Sequence, residues 1–439
     1  MATSTKAQGA WLGSYLSALA RLRPVDPIWE GPIPMTNPLA LTVALVASSS
    51  FILAGGEGEK KGGDKAAAKS TPSVLNHLSG WGYKGAKFDA TLAHSMQVRV
   101  DYTNLDEGRD VMNVDVRKVR SSVSGSVYGL DYKVQNDWVV KPESTPGRAH
   151  NSIKDAWLNW NIQDSDAYSI GVKLGQYKTE FGREFNTAYT NLEFMDRSKA
   201  SQHFSGIRSR AATVHGALKA QSLNWAVSIA NNGNNSSWNQ SHQTGEGDDN
   251  TSKKMDYTFS INWSSNPKAV RLGGSEGALT NDAGFGLGFA HHKGYPKSPL
   301  SSVEDWTTES NNLWASWKND SGFAANLELF TAQWSYSSRF TMEDEDGYSA
   351  SLSWTAAAIP EQTQWGVAVR YSGIDYMDTQ FNPQGGGMKD DNRFELVLNR
   401  YSVGHNMKTQ FGLSQNSSKH DLRNHVEEYV LGVQTTVAF

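Results

Sequence analysis

From Ala86 to Phe439 the sequence repeats one pattern: short segments in which apolar and polar side chains alternate. The last of them, Glu427–Phe439, puts Tyr429, Leu431, Val433, Val437 and Phe439 in one row, with Thr435 as its polar member. Val430, Gly432, Gln434, Thr436 and Ala438 make the other row, small or polar throughout. A helix brings residues three and four apart onto one face, whereas only an extended strand brings every second residue there. The same arithmetic sets Tyr257, Phe259, Ile261 and Trp263 against Asp256, Thr258, Ser260 and Asn262. It also sets Tyr348, Ala350, Leu352 and Trp354 against Ser349, Ser351 and Ser353. We count about sixteen such segments, each close to the roughly ten residues a tilted strand needs to cross a bilayer.

The connections narrow the choice further. Short ones near Gly129, 164–167, 219–222, 320–322, 359–363 and 402–404 alternate with long polar ones at 141–151, 178–205, 231–254, 292–311, 337–346, 375–391 and 415–426. A soluble sandwich has no reason to alternate in this way, whereas short turns on one side and long loops on the other mark a membrane barrel. The expected fold is therefore all-β: a transmembrane antiparallel β-barrel of about sixteen strands. One connection breaks the rule, because Ser264–Asp282 is long on the side where turns should be short. Composition agrees: hydrophobic residues make up only 38% of the chain, yet it carries 15 Trp, 16 Tyr and 16 Phe. In a barrel only alternate residues face lipid, and aromatics collect at both interfaces, so Trp160, Trp225, Trp263, Trp317, Trp354 and Trp365 are expected in girdles. A net charge of −4 gives no basic field for nucleic acid, and no nucleic-acid partner is expected. With no Cys, a disulfide scaffold, a thiolate metal site and a thiol nucleophile are excluded.

Ahead of the alternating region, Leu39–Leu53 is one apolar run followed by the small residues Ala54, Gly55 and Gly56. It is shorter than the about 20 residues of a spanning helix and has the length of a signal-peptide core. Residues 1–56 are thus read as an N-terminal extension with a signal peptide. Residues 57–85 are read as a periplasmic linker with one short helix within Thr71–Gly85, and 86–439 as the barrel.

In a water-filled barrel, function rests on the charges of the inward row, since Arg and Lys rings favour anions and Asp and Glu rings favour cations. The basic candidates are Arg99, Arg117, Arg120, Lys133, Lys173, Arg208, Arg210 and Arg370. Arg also offers a planar fork that fits phosphate oxygens. Arg208 and Arg210 share parity with the apolar Val214 and Leu218. An arginine facing lipid costs about 2–4 kcal/mol at mid-membrane, so a bulge that turns both inward is expected there. The acidic stretch Glu343–Asp346 reads as a solvated outer loop, and His291-His292 as no metal site. No Ser/His/Asp set stands out, and neither catalysis nor a cofactor is expected.

One stretch carries a family likeness. Leu174–Phe204 contains Gly175-Gln176-Tyr177-Lys178 and Phe194-Met195-Asp196-Arg197, preceded by Asp155-Ala156-Trp157. These motifs resemble those of the phosphate-selective porin O and P family. The resemblance implies a sixteen-stranded homotrimer in the bacterial cell outer membrane, embedded in its lipid, with the third loop folded into the lumen. It implies diffusion of small anions such as phosphate, and it adds Lys178, Arg183, Arg197 and Lys199 of that loop to the pore-lining candidates. The sequence departs from the family pattern at Glu180, where Pro is common, and at Asp196, where Glu is common. Glu180, Glu184, Glu193 and Asp196 balance the loop's basic residues. A general or weakly selective porin, and a barrel sheathing a periplasmic partner, are the alternatives.

Overall fold

The computed structural model describes residues 81–84, 88–105, 110–139, 152–205, 208–231, 255–279, 282–295, 307–335, 343–356, 363–376, 388–420 and 426–439. The strands are β1 (Trp81–Lys84), β2 (Asp89–Leu105), β3 (Val111–Val127), β4 (Leu130–Asp137), β5 (Ser152–Asp164) and β6 (Tyr168–Lys178). Next come the short helices α1 (Arg183–Asn186) and α2 (Lys199–Phe204), then β7 (Arg208–Leu218), β8 (Leu223–Asn231), β9 (Met255–Ser264) and β10 (Gly284–Gly294). The chain finishes with β11 (Thr307–Lys318), β12 (Phe323–Ser335), β13 (Glu343–Thr355), β14 (Gln364–Asp375), β15 (Met388–Val403), β16 (Met407–His420) and β17 (Val426–Ala438).

Each strand from β2 to β17 pairs antiparallel with the next, and β17 closes the ring on β2, from Glu428 opposite Leu105 to Ala438 opposite Ser95. Sixteen strands therefore form a closed barrel with no free edge, as the alternation implies. Closure also uses the chain end, where the amide of His94 donates to the Phe439 carbonyl at 2.6 Å and the amide of Phe439 to the His94 carbonyl at 2.9 Å. β1 lies below that point and pairs with the base of β2, Trp81 opposite Leu92 and Lys84 opposite Asp89. Trp81–Lys84 is a strand, so the helix expected within Thr71–Gly85 does not include these four residues, and the rest of that stretch lies outside the described residues. The signal-peptide reading and the remainder of the linker lie outside the described residues.

The outer row is apolar and exposed, as a lipid-facing surface must be. At the short-turn end Trp263, Phe285, Trp317, Phe323, Trp354 and Trp365 are all exposed and lie on neighbouring strands, and Trp160 joins them on β5. At the other end Tyr257 and Tyr429 are exposed, and the Tyr348 and Tyr371 rings lie 5.7 Å apart. These are two aromatic girdles. The inner row is polar and buried, as for Ser260, Asn262, Asn312, Ser316, Gln410 and Gln434.

Two bulges set the inward charges. Gln97 pairs with Lys118 and Val98 with Val116, so Arg117 is an extra residue on β3. Val116 and Val119 then both lie outside, opposite Val98 and Met96, and Arg117, Lys118 and Arg120 all share the lumen side. On β5, Gln135 pairs with Asp155 and Asn136 with Ile153, which leaves Lys154 as the extra residue. The bulge expected at Arg208 and Arg210 is absent, because β7 pairs with β6 from Leu218 to Arg208 and with β8 from Leu218 to Ala211 without a shift.

Candidate functional site: a lumenal loop facing a basic wall

The connection from β6 to β7 does not stay at the rim. Thr179, Phe181, Glu184, Leu192, Phe194 and Ala200 are all buried, and the loop's bonds run to inward side chains of distant strands. Glu328 on β12 accepts from the amides of Arg183 and Glu184, the second at 3.2 Å. Arg370 on β14 pairs with Glu184 and Glu395, donates to the Asp196 carbonyl at 2.8 Å and stacks on Phe194 at 4.0 Å. On β16 Lys408 donates to the Leu192 carbonyl, and Gln410 donates to that of Glu193 at 2.8 Å. Lys199 reaches Asp391 on β15 at 2.8 Å, and His203 lies 3.0 Å from Glu345 on β13. Phe181, Phe204 and Phe330 complete the seam with stacked and tilted rings. The loop is therefore fastened across the lumen to β12–β16. Glu345, expected in a solvated outer loop, instead belongs to β13 and is buried in that fastening.

This placement sorts the predicted basic residues into groups. Arg183, Lys199 and Arg370 belong to the fastening rather than to an open wall; Arg183 and Arg370 are each 2% exposed. Arg99 and Arg117 converge on the loop carboxylate Asp196, Arg117 at 2.9 Å. Arg120 pairs with Asp137 at 2.9 Å and lies 4.5 Å over the Tyr189 ring. Lys133 and Arg208 share Asp155, at 3.3 and 2.9 Å. Lys173 sits over Trp157 and Tyr177, 4.2 and 4.3 Å from their centroids. Lys178 and Arg208 occupy strand ends where the chain turns into the loop, and there they turn inward despite their parity. Lys178 then donates to the Phe185 carbonyl at 2.5 Å. Arg197, on the loop, donates to the carbonyls of Glu184 and Thr187 at 3.2 and 2.7 Å.

Arg210 is the correction. It lies opposite Gln176, in register with Leu174–Ala212 and Val172–Val214, and is exposed on the outer row. Without a bulge nothing turns it inward. Lys118 and Lys154 are inward residues that parity alone misses, because each stands at a bulge. A break in alternation, Val114 and Val116 followed by Val119 and Val123, is the signal that could have found Lys118. Arg393 shares its row with Glu395, opposite the apolar Phe394, Leu396 and Leu398; with Arg99, Asp196, Glu395 and Asn416 it lines a cavity over Gly412 and Gly432. Those two positions lack side chains because Met195 of the loop occupies the space, and a Cβ at Gly412 would stand 2.4 Å from its Cε.

The charges are unevenly spread. On the inner face of β2–β7 nine basic side chains (Arg99, Arg117, Lys118, Arg120, Lys133, Lys154, Lys173, Lys178, Arg208) face seven acidic ones (Asp89, Asp101, Asp115, Asp131, Asp137, Asp155, Asp164). That wall therefore keeps a positive surplus after its ion pairs are counted. The loop residues sense it. Burial lowers the Arg197 guanidinium to about 10; Glu184 opposes that, while Arg208 and Arg120 add to it. Burial disfavours the Asp196 carboxylate, but Arg99 and Arg117, with Arg393 behind them, hold it well below the usual range. Among the described residues no group of three or more His, Asp or Glu is placed to hold a metal ion. His292 instead bonds Thr258 at 2.9 Å and His291 bonds Asn311 at 2.7 Å.

Residues 93–288 match the family model described as phosphate-selective porin O and P. No curated protein matches the chain by sequence. Among solved structures the chain is similar in fold to the outer membrane channel DcaP of Acinetobacter baumannii, at 12% identity and a TM-score of 0.54. That likeness covers 82% of this chain and 100% of the other. It is also similar to OprB of Pseudomonas putida, at 12% identity and a TM-score of 0.51, over 80% of this chain and 94% of the other. Both likenesses concern the barrel architecture.

Proposed function

We infer that this chain, a bacterial outer-membrane protein of the phosphate-selective porin O and P family, is a porin through which small anions such as phosphate diffuse. The observation that carries the anion preference is the cationic surplus of the β2–β7 wall, together with the convergence of Arg120, Arg197 and Arg208 where the loop faces it. A hydrated anion there meets guanidinium and ammonium groups at short range, whereas a cation meets carboxylates already engaged by arginine. Asp137, Asp155 and Asp196 each hold at least one guanidinium, so the carboxylates that would attract cations are largely neutralised. The protein acts by diffusion and catalyses no reaction. It assembles as a homotrimer in the outer membrane, after removal of a signal peptide within residues 1–56, with 57–85 as a periplasmic linker to the barrel.

Phosphate block of chloride current tests this reading. Single channels in a planar bilayer in KCl should lose current as phosphate is added, and the effect should weaken in Arg120→Gln and Arg208→Gln. A chloride current indifferent to phosphate in the native protein would overturn phosphate as a permeant or bound ion.

A further inference from the structure

The long connection at the short-turn end, which broke the alternation of loop lengths, has no part in the basic wall. Residues 265–279 leave β9 and run into the lumen. Ala269 and Val270 pack on the fully buried Trp314 of β11, and Glu276, Gly277 and Ala278 are buried. Lys318 on β11 donates to the Ser275 carbonyl at 2.6 Å. His405, in the turn between β15 and β16, donates to the Glu276 carbonyl at 3.1 Å. The segment thus reaches from its root at β9 to a turn six strands further round the ring.

It meets the β6–β7 loop on the way. The Thr187 hydroxyl donates to the Gly274 carbonyl at 3.0 Å, the Glu276 amide to the Asn191 carbonyl at 3.0 Å, and the Glu193 amide to the Glu276 carboxylate at 2.8 Å. The contact is close enough to fix residue types. Gly277 has φ +69, and a Cβ there would stand 2.4 Å from Glu193 Oε1. Gly273 has φ +66, with its Cβ position 3.4 Å from that of Asn186. A connection that only joined two strands would need a few residues at the rim. This one instead satisfies its buried backbone on a loop that enters from the opposite end.

We propose that residues 265–279 are a second constriction element, a brace that enters from the short-turn end, props the β6–β7 loop and fills the lumen beside β9–β14. Permeating ions are thereby confined to the passage between the loop and the β2–β7 wall. The brace rests on the porin reading above, though not on the sign of its selectivity. It explains how the basic wall governs passage: with the lumen beside β9–β14 filled, the open space left lies against β2–β7 and the adjoining cavity lined by Arg99 and Arg393.

Two arms test it in the purified full-length barrel. Asn186→Cys combined with Gly273→Cys places two thiols within disulfide range in a chain that has no Cys of its own. The pair should cross-link on mild oxidation; a folded barrel in which it fails to cross-link overturns the seating of the brace. In the second arm residues 271–278 are replaced by two glycines. Unitary conductance should at least double, and the preference between anions and cations should shrink. Wild-type conductance and preference in this variant would overturn the proposal. If the shortened chain does not insert, Glu276→Ala decides: excursions to a larger conductance level support the brace, and a steady wild-type level overturns it. A barrel that cross-links but never conducts would sink the porin reading and leave the loop contact standing.

Discussion

Asp196→Asn is the substitution whose effect can be worked from the structure. Asp196 is the loop carboxylate that engages both Arg99 and Arg117, and its side chain keeps 28% exposure to the lumen. Asparagine preserves the shape, and its one amide oxygen can still accept from one of the two arginines, which bond different carboxylate oxygens in the native protein. The loop also keeps its other ties, through Glu184–Arg370, Lys408–Leu192 and Gln410–Glu193. The change is therefore one unit of charge. For an ion passing about 6 Å away in a water-filled lumen, that charge is worth about 0.7 kcal/mol at ε ≈ 80. Screening at about 0.1 M salt, where the Debye length is about 10 Å, reduces it to about 0.4 kcal/mol. That is about a twofold rise in local anion occupancy and about a twofold fall for cations, so the anion-to-cation permeability ratio should rise about fourfold. The assay is the reversal potential of single channels under a KCl gradient, variant against native. An unchanged ratio would show that ions do not pass Asp196, and a falling ratio would refute the assignment of the basic wall as the permeation path.

The same reasoning gives Arg208→Gln the opposite sign. It removes one positive charge and frees Asp155, which Lys133 alone then neutralises, so the ratio should fall about fourfold or more in the same assay. Arg210→Gln should change neither conductance nor ion preference, because the side chain faces outward; a selectivity shift would mean that the register of β7 is wrong. The seam between the two lumenal segments should weaken as pH rises. Burial and then the neighbouring Glu276 push the Glu193 carboxyl up, and burial and then Glu184 push Glu276 up. Lys318 and Lys408 pull Glu193 the other way, while Arg370 and Arg183 do so for Glu276. Groups raised in this way bind more protons folded than unfolded, so their contribution is full below their ordinary value and is lost as pH climbs through the raised one. Thermal stability of the barrel should therefore decline as pH rises from the ordinary glutamate range to about 7, the raised value of Glu193, and Glu276→Gln should flatten that slope. N-terminal sequencing of the protein extracted from outer membranes should begin downstream of the Leu39–Leu53 run; a start within residues 1–34 would remove the signal-peptide assignment.

Much of the barrel was legible in the sequence, because strand periodicity is local and each lipid-facing row announces itself. Tyr257–Trp263 and Tyr348–Trp354 read the same in the chain as in the structure. Bulges were not legible in detail. The extra residue at Arg117 is marked only by the break between Val116 and Val119, the one at Lys154 by no residue at all, and the expected bulge at Arg210 was inferred from cost alone. There the arginine tolerates the outer row, two residues from the strand end where the membrane gives way to the headgroup region. The fastening of the loop was beyond reach for another reason. Glu328 lies 145 residues from Arg183 and Gln410 lies 217 from Glu193, so nothing local in either strand distinguishes a loop anchor from an ordinary polar lumen residue. The brace was visible only as a connection too long for its side. Its glycines gained meaning once Glu193 and Asn186 were seen against them.

The zero-current potential of the native protein in a planar bilayer under a KCl gradient tests the central claim most directly. A potential of the sign that marks chloride as more permeant than potassium is the result expected from the surplus of basic groups on β2–β7. A potential of the opposite sign would mean that the carboxylates govern passage, and would contradict the account.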